Sequence, residues 1–446
     1  MMGETFISNP MLNFKNSSNY VDLASQIIPG GAHTYAKGAD QYPENMAPVI
    51  TRGKGARVWD IDGNEFIEYG AGLKSVTLGH CFGPVDAAVR KALNWGLNFV
   101  RPHKIEYEAA EMFCDLIPCA EMVKFGLNGS DATSAAVRLA RAYTGRDMVA
   151  VCENQPFFSV HDWFIGKTAM HAGIPEAIRN LTLTFRYNDP DDLRRVLDEH
   201  RGQVAAIILE AENNAAPVPG YFDQVRKICD DAGVVFILDE VITGFRWHLN
   251  GAQTLYGIQP DLASFAKGMA NGYPVSALVG RREIMGLGGF SEDRDRVFVL
   301  SQTYGAQPWM LAAFLAVVAA HRSTDIVGRL YQAGSRLRQG VKEISDGLGI
   351  FSYFHTEGPD CALTFVTKDT SGQRSQIMRT IFLRELLHGG ILAPSFVVNY
   401  AHTDDMIDQT LDVVAEALKV YKEALEGDPQ RVLGSRPVRP AIRQRG

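Results

Sequence analysis

Between Met122 and Gly280 the chain alternates short apolar runs with longer amphipathic stretches, and this alternation limits the fold more than any other feature. An apolar run bounded by turn signals and followed by a helical period is the mark of successive β-α units, whose strands are buried in a mostly parallel sheet between helices. Asp131 to Tyr143 reads as a helix, with Ala135, Ala136, Leu139 and Ala140 on one face and Gly145 as its stop; Met148 to Cys152 reads as the strand that follows. Asn188-Asp189-Pro190 marks another helix start, and the helix through Leu193, Val196 and Leu197 leads to a strand at Val204 to Leu209. A third unit runs through the helix Phe222 to Ala232, stops at Gly233 and enters the run Val234 to Leu238. The pattern predicts an α/β fold.

At 446 residues the chain exceeds what one core usually supports, which predicts two units. Residues 76–311 would form the large domain. Upstream, Val58-Trp59-Asp60-Ile61-Asp62-Gly63-Asn64 reads as strand, turn, strand, and downstream Ala312 to Leu425 reads as helices with short strands. A small domain built from both chain ends is expected, from residues 1–75 and 312–427, with 428–446 as a loose tail holding three prolines and five arginines. Hydrophobic residues at 46% and charged residues at 21% are ordinary for a globular protein. The net charge of -7, with no Lys/Arg stripe, argues against a nucleic-acid partner and for a small-molecule ligand. Six scattered cysteines without a C-x-x-C pair predict neither a zinc site nor a disulfide framework, so no metal is expected and the cytoplasm suits the chain. No basic, apolar leader occupies Met1 to Asn16, and no apolar run approaches the roughly 20 residues of a membrane span.

Ligands of open parallel sheets bind beyond the carboxyl ends of the strands, so polar residues there carry the functional reading. Asp239 directly follows one apolar strand in Ile237-Leu238-Asp239-Glu240, and Lys267 follows another in Leu262-Ala263-Ser264-Phe265-Ala266-Lys267. Taken singly, the aspartate also fits a helix cap or surface turn, and the lysine a snorkelling surface residue. Together they fit one chemistry. A lysine desolvated in such a crevice has a lowered pKa and attacks aldehydes, pyridoxal phosphate (PLP) supplies an aldehyde, and an ionised aspartate would keep its pyridine nitrogen protonated. Asn128-Gly129-Ser130-Asp131 opens a helix whose N-terminus suits the phosphate, with Gly129 allowing close approach and Ser130 offering a hydroxyl; plain capping by Ser130 or Asp131 is the alternative. A nucleotide-binding protein without PLP would show a G-x-G-x-x-G turn, and the large domain has none.

These stretches resemble the class III PLP-dependent aminotransferases, most closely glutamate-1-semialdehyde aminomutase and its aminotransferase relatives. The resemblance runs from about Ala47 to His402 and is most specific in Gly53 to Asn64, Arg138 to Asp147, Asp239 to Arg246 and Pro260 to Lys267. It implies a fold-type-I homodimer with active sites at the interface, a large domain that binds PLP and a small α/β domain. Lys267 falls on the family's Schiff-base lysine, Asp239 on the pyridinium partner, and Gly129 and Ser130 on the phosphate turn. Thr303, in Gln302-Thr303-Tyr304-Gly305, matches a threonine that reaches the phosphate across the dimer interface, and Glu210 matches a glutamate near the active site; an ordinary β-region threonine and a solvated turn residue are the plainer readings.

Two departures stand out from that resemblance. Where the family commonly reads Tyr-His-Gly, this chain reads Pro156-Phe157-Phe158-Ser159-Val160-His161, and Phe157 becomes the expected ring against the pyridine, unless both phenylalanines are core. Lys37 stands where the aminomutase has an arginine for the substrate carboxylate, and an ammonium lacks the planar fork of a guanidinium. His33, Tyr35 and Lys37 would then address a more hydroxylated carbonyl compound, such as an amino-sugar precursor, or simply form a surface loop. The expected activity is transfer of an amino group from an amino donor to an aldehyde or ketone acceptor, with intramolecular aminomutase chemistry as the alternative.

Overall fold

The computed structural model describes residues 12–291 and 293–443. Two compact units divide the chain, one of residues 12–71, Leu78–Cys81 and Arg329–Arg443, the other of Gly72–Thr77 and Phe82–Gly328.

The larger unit is built on a seven-stranded sheet of β1 (Met122–Gly126), β2 (Met148–Cys152), β3 (Thr182–Phe185), β4 (Val204–Glu210), β5 (Val235–Glu240), β6 (Leu262–Phe265) and β7 (Ser276–Gly280). Their spatial order is β1-β7-β6-β5-β4-β2-β3. Every pair is parallel except those of β7, which runs antiparallel to both β1 and β6. All residues of β4 and β5 are buried, as expected of parallel strands covered on both faces. The helices begin and end on the signals in the sequence. Asp189 caps Pro190–Glu199 through its side chain with Pro190 in the first turn, and Gly145 (φ +69°) and Gly233 (φ +61°) close the helices Gly129–Thr144 and Tyr221–Ala232 in the left-handed region.

The helix Pro308–Ser323, expected beyond Ala312 in the small domain, belongs to this larger unit. It packs against the helix Gly83–Leu93, and its Phe314 ring lies 5.2 Å from Phe113 and 5.8 Å from Phe245. The smaller unit holds the expected strand, turn, strand: Arg57–Asp60 and Glu65–Glu68 pair antiparallel around a turn in which Asp60 accepts the N–H groups of Asp62 and Asn64. Ile391–Leu392 joins this sheet parallel to Glu65–Glu68.

The stretch from 428, expected to be loose, is docked through residue 443. Pro429–Leu433 forms a short helix capped by Asp428, Leu433 and Val438 are buried, and the Val438 N–H donates to the buried Thr380 hydroxyl at 2.8 Å. Bonds from Arg384 to the Val432 and Leu433 carbonyls, from the Arg439 N–H to the Asp40 carbonyl, and between Arg443 and Asp40 hold it as well. Among the described residues no single helix is long and apolar enough to cross a membrane.

The strand edges at the other end of the sheet are tied by Asp261. Its carboxylate accepts the Phe236 N–H at 2.8 Å and pairs with Arg226 at 3.0 Å and Arg281 at 2.7 Å. Asp261→Ala leaves the buried Phe236 N–H without its acceptor, while Arg226 keeps Asp230 and Arg281 keeps Glu283, and should lower stability by about 2 kcal/mol, read as a drop in the urea midpoint of the cofactor-free protein.

Candidate active site

Strand register assembles the site. Glu210 ends β4, Asp239 is its register partner on β5, and alternation points both side chains to the same face of the sheet. Glu240, one residue on, turns to the other face, where its buried carboxylate accepts the N–H groups of Ala252 and Gln253 at 2.9 Å each. That is a helix-capping task. Lys267 follows β6 and takes up a left-handed backbone (φ +47°), an unusual conformation for a residue with a side chain.

Gly129, Ser130, Phe157, Glu210, Asp239 and Lys267 all line one cavity of about 410 Å³, a size suited to a small ligand. At one wall the helix Gly129–Thr144 presents its N-terminus. Its cap is Asn128, not Ser130 or Asp131: the Asn128 side chain accepts the Asp131 N–H, and the Asp131 carboxylate accepts the Asn128 N–H in return. Gly129 and Ser130, in the first turn, have no carbonyl four residues back, so their N–H groups remain for a ligand. Ser130 Oγ accepts the Val160 N–H at 3.0 Å and keeps its own proton to donate. A Cβ at Gly129 would stand 2.8 Å from Val241, so only glycine permits this approach.

Phe158 is core, at 2% exposure, whereas Phe157 is 43% exposed, and both rings meet Phe164 edge-on. Thr303 is exposed and lies outside the cavity lining. His33, Tyr35 and Lys37 are exposed residues of the smaller unit, and Lys37 borders a hollow of that unit, about 310 Å³, together with Asp40 and Tyr42.

Electrostatics sets the cavity apart. Burial, reinforced by the Glu210 charge, pushes the Asp239 carboxyl up to about 8, against the opposing pull of the Val241 N–H, which donates to Oδ1 at 2.9 Å, and of Lys267. Glu210 is likewise raised by burial, opposed by its hydrogen bond from Asn213 and by the charges of Lys74 and Lys267. Lys267 is lowered by burial, with Glu210 and Asp239 acting the other way. A carboxylate pair and one amine thus share a poorly solvated space that would stabilise a cationic ring nitrogen. Several further residues support these groups. Gln155 holds Glu210 by both backbone groups, at 2.8 and 2.9 Å, Asn213 bonds its carboxylate, and Val241 sets the floor under Gly129. Gln155 and Val241 act on residues brought near by the fold, which nothing in their local sequence marks, whereas Asn213 lies three residues after Glu210 in the polar run Glu210-Ala211-Glu212-Asn213-Asn214.

Residues 38–418 match the family model described as aminotransferase class-III. Glutamate-1-semialdehyde 2,1-aminomutase of Persephonella marina is 31% identical, covering 92% of this chain and 99% of the relative, and 3-aminobutyryl-CoA aminotransferase of Cloacimonas acidaminovorans is 29% identical, covering 93% and 99%. Among solved structures, a PLP form of the FumI protein of Sphingopyxis sp. MTA144 superposes with a TM-score of 0.85 at 26% identity, over 94% of this chain and 100% of that one. The chain belongs to the class III aminotransferases: a fold-type-I, PLP-dependent enzyme of the aminotransferase and aminomutase kind, acting on small amines and carbonyl compounds. The residues fit that cofactor, because the cavity offers a helix N-terminus without a Cβ in the way, a buried carboxylate and a largely desolvated lysine amine.

Because the folded Asp239 carboxyl titrates near 8 and the unfolded one near 4, the cofactor-free folded state binds more protons between those values and loses stability as pH rises through them. Asp239→Asn removes that loss. Denaturant midpoints of wild type and variant should diverge from about pH 5 to pH 8, the variant becoming relatively more stable; parallel midpoints would show an ionised carboxylate in the cofactor-free protein.

Proposed function

We propose that the protein is an intermolecular aminotransferase that takes an amino group from an amino donor and delivers it to an aldehyde or ketone, with Lys267 joined to PLP and Asp239 against its pyridine nitrogen. The observation that carries this reading is the convergence of the Lys267 amine, the Asp239 carboxylate and the N-terminus of the helix Gly129–Thr144 on one cavity. Bound PLP supplies an aldehyde for amines and a ring that withdraws the charge left when a substrate carbon loses its proton.

Burial lowers the Lys267 pKa and so favours the uncharged amine, which would join the cofactor and, once released, would carry a proton away from the substrate α-carbon. Asp239 would be held ionised by a cationic ring nitrogen, which would offset the burial that raises its pKa. The amides of Gly129 and Ser130, with the Ser130 hydroxyl, would hold the phosphate, Phe157 would cover one face of the ring, and Glu210 lines the same cavity as Lys267. Donor and acceptor use this cavity in turn.

The enzyme works as a homodimer in this reading, with Thr303 reaching the phosphate of the neighbouring copy. Trp95, Leu97, Phe99 and Val100 are exposed together on one loop of the larger unit, and Phe298 and Tyr304 flank Thr303 in the chain, which supports a covered surface there. Six cysteines with no disulfide among the described residues accord with a cytoplasmic location. The replacement of an arginine by Lys37, beside His33 and Tyr35, favours a hydroxylated carbonyl acceptor, as in amino-sugar or specialised-metabolite synthesis, over glutamate semialdehyde. The 31% identity to aminomutases keeps intramolecular transfer as the second reading.

Lys267→Ala should abolish turnover and the absorption of lysine-bound cofactor while leaving the far-ultraviolet circular dichroism unchanged; retained turnover overturns the assignment. With ¹⁵N-labelled donor amines, label in the product of an added acceptor is expected, and nitrogen kept within one substrate skeleton would establish the mutase instead.

A further inference from the structure

The helix that begins at the cavity also grips the loop that carries Phe157. Ser130, Thr133 and Ser134 are spaced three and four apart and so share a face. Ser130 Oγ accepts the Val160 N–H, and Thr133 Oγ1 donates to the Phe158 carbonyl at 2.8 Å. Ser134 Oγ lies 2.6 Å from His161 Nδ1 and 3.0 Å from Ser159 Oγ, and it accepts the Trp163 indole N–H at 2.8 Å. A hydroxyl has one proton and two lone pairs. With the indole on one lone pair, Ser134 can donate to Nδ1 and accept from Ser159, or accept from Nδ1–H and donate to Ser159. Either histidine tautomer therefore leaves Ser134 fully bonded, always to the loop.

Neither Ser134 nor His161 lines the cavity, and the half-exposed Phe157 ring meets Phe164 only at its edge, 5.7 Å away. Packing alone holds that ring weakly. We propose that Ser134, through Ser159, His161 and Trp163, is a positioning residue that clamps loop 156–163 and thereby sets where the Phe157 ring stands over the cofactor. The inference rests on the reading that this cavity takes PLP with Phe157 against its ring, and it uses the stretch in which the chain departs from Tyr-His-Gly.

The test is Ser134→Ala, followed by amide hydrogen exchange in the cofactor-free protein and by titration with PLP. Exchange at Val160 and His161 should quicken about tenfold and PLP binding weaken about tenfold, the worth of roughly one to two hydrogen bonds, with little change in the thermal midpoint because alanine favours the helix. His161→Ala should show a smaller form of both effects and His161→Asn, whose amide reaches the Nδ1 position, should restore them; this pair carries the test if Ser134→Ala does not fold. In a Phe157→Ala background, Ser134→Ala should weaken PLP binding no further. Unchanged exchange overturns the clamp whatever the cofactor does, and additive losses with Phe157→Ala overturn its action through the ring. Failure of the functional reading would appear separately, as turnover that survives Lys267→Ala.

Discussion

Two carboxylates at register-matched ends of adjacent parallel strands repel one another, and the construction of the cavity follows from that repulsion. Cβ atoms in such a pair stand about 5 Å apart, and at an effective dielectric constant near 20 two full charges there would oppose each other by about 3 kcal/mol. Each local feature relieves part of this. The Val241 amide and the Asn213 side chain donate to one carboxylate each, Gln155 fixes the Glu210 backbone, and the Lys267 amine faces both. Lys267 is in turn buried where an ammonium alone would be unstable. The three groups are tolerable only together, and a cationic ring nitrogen would complete the charge balance.

Much of the larger unit could be read from local pattern, because its signals are local. An apolar run that ends at a carboxylate or a lysine states both the strand and its functional end, and Gly145 and Gly233 stop their helices for a reason visible in a single residue. The strand Met148–Cys152 and the turn around Asp60 follow in the same way. What stayed hidden depends on distant partners. The helix Pro308–Ser323 is apolar on most sides, and its packing against the helix Gly83–Leu93 and the Phe113 and Phe245 rings decides which unit it joins. Leu433 and Val438 look like strays in a polar tail until Thr380 and the surrounding core receive them.

The same division holds within the site. Lys267, Asp239, Gly129 and Ser130 sit at element ends, where sequence position fixes spatial position, and they meet in one cavity. Asn128 was missed as the cap because Ser130 and Asp131 are equally good capping types, and only the backbone geometry distinguishes them. His33, Tyr35 and Lys37 lie on short turns with no period to orient them, so their chemistry was legible and their surroundings were not.

The reversed strand β7 has a consequence for how far apart the working parts stand. It separates β1 from β6, and because it opposes both, those two strands point the same way and end at the same edge of the sheet. The turn leading to Gly129 leaves β1, and Lys267 leaves β6. Their separation is thus a spacer of two interstrand steps, about 9.6 Å, set by backbone hydrogen bonds and not by loop length. Loops around such a site are free to diverge, in length and in the molecules they admit, without altering the gauge between the helix N-terminus at Gly129 and the Lys267 amine.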